Sequence, residues 1–204
     1  MKPKFLIGID EAGRGPLAGP VAVGVFCVRS KKVLKMFKGV RDSKKLTENQ
    51  REAFFLNIKE AKKNGHVHYA VSFSSAGIID KKGIVPAIKS ALNRSLRRID
   101  LSTQDRPALK ILLDGSLKAP SRYMNQKTII GGDDIEPVIS LASICAKVLR
   151  DRKMTRLAQK YPHYGFEVHK GYGTKAHYKA IRKYGLSKEH RRSFLKGIKK
   201  STEV

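Results

Sequence analysis

Five short runs of apolar or alternating residues, separated by segments of helical periodicity, restrict this chain to a sheet layered with helices. Phe5-Leu6-Ile7-Gly8-Ile9 is continuous and bounded by glycine, which predicts a buried central strand. Val21 to Val28 follows a Gly/Pro-rich turn and is expected to pair antiparallel with it. His66 to Phe73 sets Val67, Tyr69, Val71 and Phe73 against more polar neighbours, as a third strand does. Leu109 to Leu113, closing on Asp114-Gly115, and Thr128 to Ile130, closing on Gly131-Gly132-Asp133-Asp134, complete the set.

Between these runs, Thr47-Glu48-Asn49-Gln50 carries a capping-box pattern. It opens a helix with Phe54, Phe55, Ile58 and Ala61 that ends at Gly65. A longer helix aligns Ile84, Ile88, Leu92, Leu96 and Ile99, with Lys89, Arg94 and Arg97 largely off that face. Pro137 suits the first turn of a helix reaching about Lys160, and two short helices separated by Gly185 are expected beyond. The expected architecture is α/β: a mixed sheet flanked by helices, followed by a basic helical extension. Residues 1–160 would form the catalytic unit, and residues 161–204 an extension packed on it.

Charge narrows the function. Lys and Arg number 43 against 17 acids, a net +26 at pH 7, and from Val168 onward 11 basic residues face 2 glutamates. Such a field attracts a polyanion. A heat-adapted charged surface would raise acids along with bases, so nucleic acid is the expected partner. Cys27 and Cys145 both lie in apolar segments and are read as buried free thiols in a reducing compartment. No run approaches the roughly 20 apolar residues of a membrane span, and Met1-Lys2-Pro3-Lys4 leads straight into a strand. A cytoplasmic monomer with no membrane association is expected.

In this acid-poor chain, Asp10-Glu11, Asp114 and Asp133 each stand at or just beyond the end of an apolar run. Strand ends at one edge of an α/β sheet converge on a crevice, and carboxylates gathered there suit hard cations such as Mg²⁺. The glycine-flanked arginine of Gly13-Arg14-Gly15 suits close backbone contact with a phosphate–sugar chain. The six histidines show no ligand spacing and are read as packing or basic-surface residues.

The run Gly8-Ile9-Asp10-Glu11-Ala12-Gly13-Arg14-Gly15-Pro16-Leu17-Ala18-Gly19-Pro20-Val21 resembles the opening signature of the ribonuclease HII family. The likeness continues through Asp42-Ser43-Lys44-Lys45-Leu46-Thr47, Leu113-Asp114-Gly115 and Ala142 to Asp151. It closes with Tyr161-Pro162-His163-Tyr164-Gly165-Phe166 and His169-Lys170-Gly171-Tyr172-Gly173-Thr174. The resemblance implies a ribonuclease H-like fold and a metal-dependent endonuclease that cuts the RNA strand of RNA–DNA hybrids and incises 5′ of single ribonucleotides in duplex DNA. The products would carry 3′-hydroxyl and 5′-phosphate ends. By the same resemblance Asp10, Glu11, Asp114 and Asp133 are the catalytic metal ligands for Mg²⁺ or Mn²⁺ in a two-metal hydrolysis. Asp134 adjoins Asp133 and could also reach a metal, although the family's spacing selects Asp133.

The family pattern also assigns substrate contacts. The backbone of Gly13, Arg14 and Gly15 would meet the 2′-hydroxyl, and Tyr172 would pack on the sugar of the following deoxynucleotide. Ser43, Lys44 and Lys45 read as a phosphate clamp. Ser143, Lys147 and Arg150 share one helix face, with Lys147 on a phosphate and Ser143 bracing the acids. The alternative is a non-catalytic basic nucleic-acid-binding protein, and the acids at strand ends weigh against it.

Overall fold

A computed structural model describes residues 5–40, 43, 45–99 and 109–196. Five strands form one mixed sheet: β1 (Phe5–Ala12), β2 (Val21–Val28), β3 (Val67–Ser74), β4 (Leu109–Asp114) and β5 (Gln126–Ile129). Their order is β3-β2-β1-β4-β5, with β1, β2 and β3 antiparallel neighbours and β4 and β5 parallel additions beside β1. The expected antiparallel pairing of the first two runs is present from Leu6↔Val28 to Ala12↔Ala22.

The helices are α1 (Glu48–Lys63), α2 (Ala76–Lys82), α3 (Ile84–Arg98), α4 (Gly132–Ile135), α5 (Pro137–Lys160), α6 (Phe166–His169) and α7 (Lys175–Tyr184). The capping box of α1 forms as its sequence predicts: Gln50 N–H donates to Thr47 Oγ1, and Thr47 N–H donates to Gln50 Oε1. Sequence periodicity shows α3 but not the short α2 before it, which the Ser75 side chain caps. Beyond Gly185, among the described residues, the second expected helix is a single 3-10 turn, Arg192–Phe194.

Strand alternation divides the core in two. Ile7, Ile9, Ile111 and Leu113 face α3, whereas Leu6 and Leu112 face α1 and α5. Almost every residue of β1 and β2 is buried, as a central strand covered on both faces requires. Helix α5 lies close on the sheet because Gly8 and Gly24 carry no side chain there: a Cβ on either would overlap the carbonyl of Val138 or Ala142. A third apolar cluster joins Leu17 and Ala18 to Met154, Tyr164, Phe166 and Ile181, so the basic C-terminal segment packs against the β1–β2 connection. Both cysteines are free and buried. Among the described residues no helix is long and apolar enough to cross a membrane.

Candidate active site

The parallel pairing of β1 with β4 ends at Ile9↔Leu113. Asp10 and Asp114 are the next residue on each strand, and both fall on the face covered by α5. Asp10 and Glu11 therefore lie inside β1 rather than past its end, because β1 stays paired to β2 through Ala12 after its pairing with β4 has stopped. Asp133 comes from α4, at the head of α5. Gly131 permits that turn with a left-handed φ of 64°. Asp114 Oδ1 accepts the Gly132 N–H at 2.7 Å and the Asp133 N–H at 3.4 Å, and Ser140 Oγ donates to the Asp133 carbonyl at 2.6 Å.

One carboxylate oxygen from each of Asp10, Asp114 and Asp133 lies within 4.8 Å of the others. Glu11 occupies the alternate face of the strand, lines the same crevice and approaches Arg14 Nε at 3.4 Å. Asp134, next to Asp133, points elsewhere and pairs with Lys45 at 2.6 Å. Burial pushes the Asp10 carboxyl up to about 8; a hydrogen bond from Ser143 opposes this, while the charges of Glu11 and Asp114 add to it. A buried, all-oxygen donor set whose members repel one another fits a hard divalent cation.

A crevice of about 250 Å³ gathers Asp10, Glu11 and Asp114 with Gly13, Arg14, Gly15, Ser43, Ser143, Lys147 and Tyr172. A matching family model spans residues 7–197, and its family is Ribonuclease HII. The chain belongs to the ribonuclease HII family. It is 42% identical to the Ribonuclease HII of Caldicellulosiruptor bescii, over 96% of this chain and 88% of that protein. It is 43% identical to that of Sulfurovum sp. NBC37-1, over 98% and 96%. Among solved structures, the RNase HII of Archaeoglobus fulgidus in complex with PCNA superposes with a TM-score of 0.72 over 98% of both chains; at 23% identity this likeness speaks for the fold alone. The fold is the ribonuclease H-like α/β fold, and the protein is a ribonuclease H-type nuclease. Ribonuclease H enzymes are metal-dependent, and the aspartate cluster is a donor set of that kind.

Several residues expected in a ribonuclease HII substrate site sit as a connected set. Ser43 Oγ and Ser143 Oγ are 2.8 Å apart. Arg51 supports the Ser43 loop by donating to the carbonyls of Ser43 and Leu46. Lys147 lines the crevice while donating to both oxygens of the buried Asp151, at 2.8 and 2.6 Å. Lys45 is held at Asp134, and Lys44 lies outside the described residues. Arg150, on the expected helix face with Ser143 and Lys147, is fully buried; it donates to the carbonyls of Pro20, Ala18 and Lys170 beneath the Tyr172 ring.

Two features of this ribonuclease HII site have no signal in local sequence. Arg191, from the C-terminal segment, is fully buried and donates to the carbonyls of Gly13, Arg14 and Gly19. Three histidines gather behind the Tyr172 loop: the His169 ring stacks on His177, and His177 lies tilted against His190. His177 Nδ1–H donates to the Tyr172 carbonyl at 2.8 Å, so its Nε2 is left to accept from His190 Nε2–H at 3.1 Å. His190 Nδ1 in turn accepts the Ser187 N–H. This chain of bonds needs both rings neutral. Burial lowers His177 and His190 to about 4 each, and their mutual contact adds to the effect on His190.

Proposed function

We propose that this chain cleaves the RNA strand of RNA–DNA hybrids and nicks duplex DNA on the 5′ side of a single ribonucleotide, leaving 3′-hydroxyl and 5′-phosphate ends. The observation that carries the proposal is the adjacency, in one crevice, of an aspartate cluster and an exposed backbone turn with an aromatic ring beside it. The first suits phosphodiester hydrolysis, and the second suits inspection of a sugar.

Asp10, Glu11, Asp114 and Asp133 would hold Mg²⁺ or Mn²⁺, with Ser143 fixing the Asp10 carboxylate. Bound divalent cations there supply a water ionised near neutral pH and charge stabilisation for the leaving oxygen. The chain's own part is to position. Arg14 and Gly15 are exposed in the turn after β1; Gly15 opens on free space with no Cβ between its backbone and a 2′-hydroxyl, while Gly13 backs closely onto the buried Arg150. Tyr172 is 44% exposed at the crevice edge, where its ring would meet the deoxyribose after the ribonucleotide and crowd a 2′-hydroxyl. Ser43, Lys44, Lys45 and Lys147 would take backbone phosphates, and the wider basic surface adds sequence-independent affinity.

This reading places residues 1–160 as the catalytic unit and residues 161–204 as an extension that brings Tyr172 to it, in a cytoplasmic monomer serving replication and ribonucleotide excision repair. The test is a duplex DNA carrying one ribonucleotide. Cleavage on its 5′ side should require Mg²⁺ or Mn²⁺, stop with chelator and return when metal is restored. Cleavage of a continuous hybrid alongside an uncut single-ribonucleotide duplex would refute the junction reading, and metal-independent binding without any cleavage would favour a passive binder.

A further inference from the structure

Arg191 lies 178 positions from Gly13 in sequence, yet its Nη2 donates to the Gly13 carbonyl at 2.6 Å and its Nη1 to the Arg14 carbonyl at 2.8 Å. Its Nε reaches the Gly19 carbonyl at 3.0 Å, and its own N–H donates to the Leu17 carbonyl. The guanidinium thus holds both ends of the turn between β1 and β2. Among the described residues no carboxylate stands within ion-pair distance of it. Burying the guanidinium desolvates a charge, and an apolar side chain in its place would leave three backbone carbonyls without these donors.

What the arginine adds is direction. Every peptide bond among the described residues is trans, and in a trans peptide the C=O and the following N–H point in opposite directions. Drawing the Gly13 carbonyl inward to Arg191 turns the Arg14 N–H outward, and drawing the Arg14 carbonyl inward does the same for the Gly15 N–H. Arg14 and Gly15 are exposed and line the crevice, while Arg191 is fully buried behind them. Among the described residues neither of these two N–H groups donates to another group of the protein. Asp80 in turn anchors the Arg191 segment, its carboxylate accepting the N–H groups of Arg192 and Ser193 at 2.9 Å each.

We propose that Arg191 is a positioning residue for sugar recognition, which aims the Arg14 and Gly15 amides into the crevice as a paired donor for a ribose 2′-hydroxyl. The proposal rests on the reading of Gly13-Arg14-Gly15 as the sugar-inspecting turn. It extends the site to a residue of the C-terminal segment that touches neither substrate nor metal. Lysine at 191 would keep the charge but lose the planar fork that fixes two carbonyls at once.

The test is binding, read by fluorescence anisotropy with Mg²⁺ present, in an Asp114→Asn background that prevents cleavage. Two duplexes of one sequence are compared, all-DNA and bearing one ribonucleotide. The parent should prefer the ribonucleotide duplex by about tenfold, the scale of one or two net hydrogen bonds. Adding Arg191→Lys should bring that preference within about twofold of unity and leave all-DNA affinity unchanged, a split that general loosening would not produce. Asp80→Ala leaves the buried arginine in place and slackens its segment; it should lose part of the same preference, and it decides the matter if Arg191→Lys does not fold. A preference kept in full by a folded Arg191→Lys, or by Asp80→Ala when the lysine variant does not fold, overturns the role of Arg191. A parent with no preference instead overturns the sugar-inspecting reading beneath it.

Discussion

Ser43 Oγ and Ser143 Oγ lie 2.8 Å apart, a buried contact that ties the loop before α1 to the N-terminal third of α5. Ser143 also hydrogen-bonds Asp10, so a single hydroxyl joins the proposed phosphate loop to the aspartate cluster. Ser143→Ala should lower cleavage by about tenfold and raise the Mn²⁺ concentration needed for half-maximal rate, with a stability loss of only about 1 kcal/mol. Rate against metal concentration, with urea denaturation alongside, separates the two effects.

Asp133 and Asp134 are neighbours in sequence with different surroundings. Asp133 is buried in the aspartate cluster, whereas Asp134 is exposed and paired with Lys45. Asp133→Asn should abolish cleavage, and Asp134→Asn should weaken it by no more than a few fold, since an exposed ion pair contributes about 0–1 kcal/mol. The reverse order in a steady-state assay would move the fourth ligand to Asp134.

The burial of the Asp10 carboxylate, with the charges of Glu11 and Asp114 beside it, should make the metal-free protein less stable than its metal-bound form. Adding Mn²⁺ should raise the thermal midpoint of the wild type. Asp10→Asn should melt higher than the wild type in chelator, and its midpoint should not respond to Mn²⁺. Differential scanning calorimetry with and without chelator measures all three.

His177 and His190 bind their protons less readily folded than unfolded, with values near 4 against 6.5. Between those limits the unfolded chain takes up more protons, so stability rises with pH. Their contribution is complete above about pH 6.5 and is lost as pH falls toward 4, to a limit of about 3 kcal/mol per ring. Urea midpoints across that window should show this slope in the wild type and a shallower one in His190→Gln.

Gly8→Ala should be among the most damaging single-methyl changes in the molecule. The added Cβ would overlap the Val138 carbonyl where α5 rests on β1, and backbone cannot yield there as a flexible side chain would. A loss of about 3 kcal/mol or more is expected in urea denaturation, with an unchanged m-value. Gly15→Ala meets open space and should leave stability within about 0.5 kcal/mol.

Much of the scaffold is local and was therefore legible. The capping box at Thr47, the apolar face from Ile84 to Ile99 and the proline opening α5 each act within a few residues. Helix α2 was missed because seven residues are too few to display a period. The apolar run that predicts β1 ends at Ile9. The strand continues to Ala12 because β2 supplies partners that no nearby residue advertises.

The kinds of groups available are written in the chain: an acid pair followed by Gly-Arg-Gly, two further aspartates after apolar runs, a basic field, and motif blocks shared with a nuclease family. Which of them meet follows from the packing of the folded chain. The end of the β1–β4 register brings Asp10 beside Asp114, the turn at Gly131 swings Asp133 in and Asp134 out, and the C-terminal segment carries Arg191 under Gly13. Asp10 meets Asp114 and Asp133, and Arg191 meets Gly13, across more than 100 positions of chain. Local propensity cannot encode such contacts; they arise only when burial of both sheet faces fixes where each helix and loop must lie.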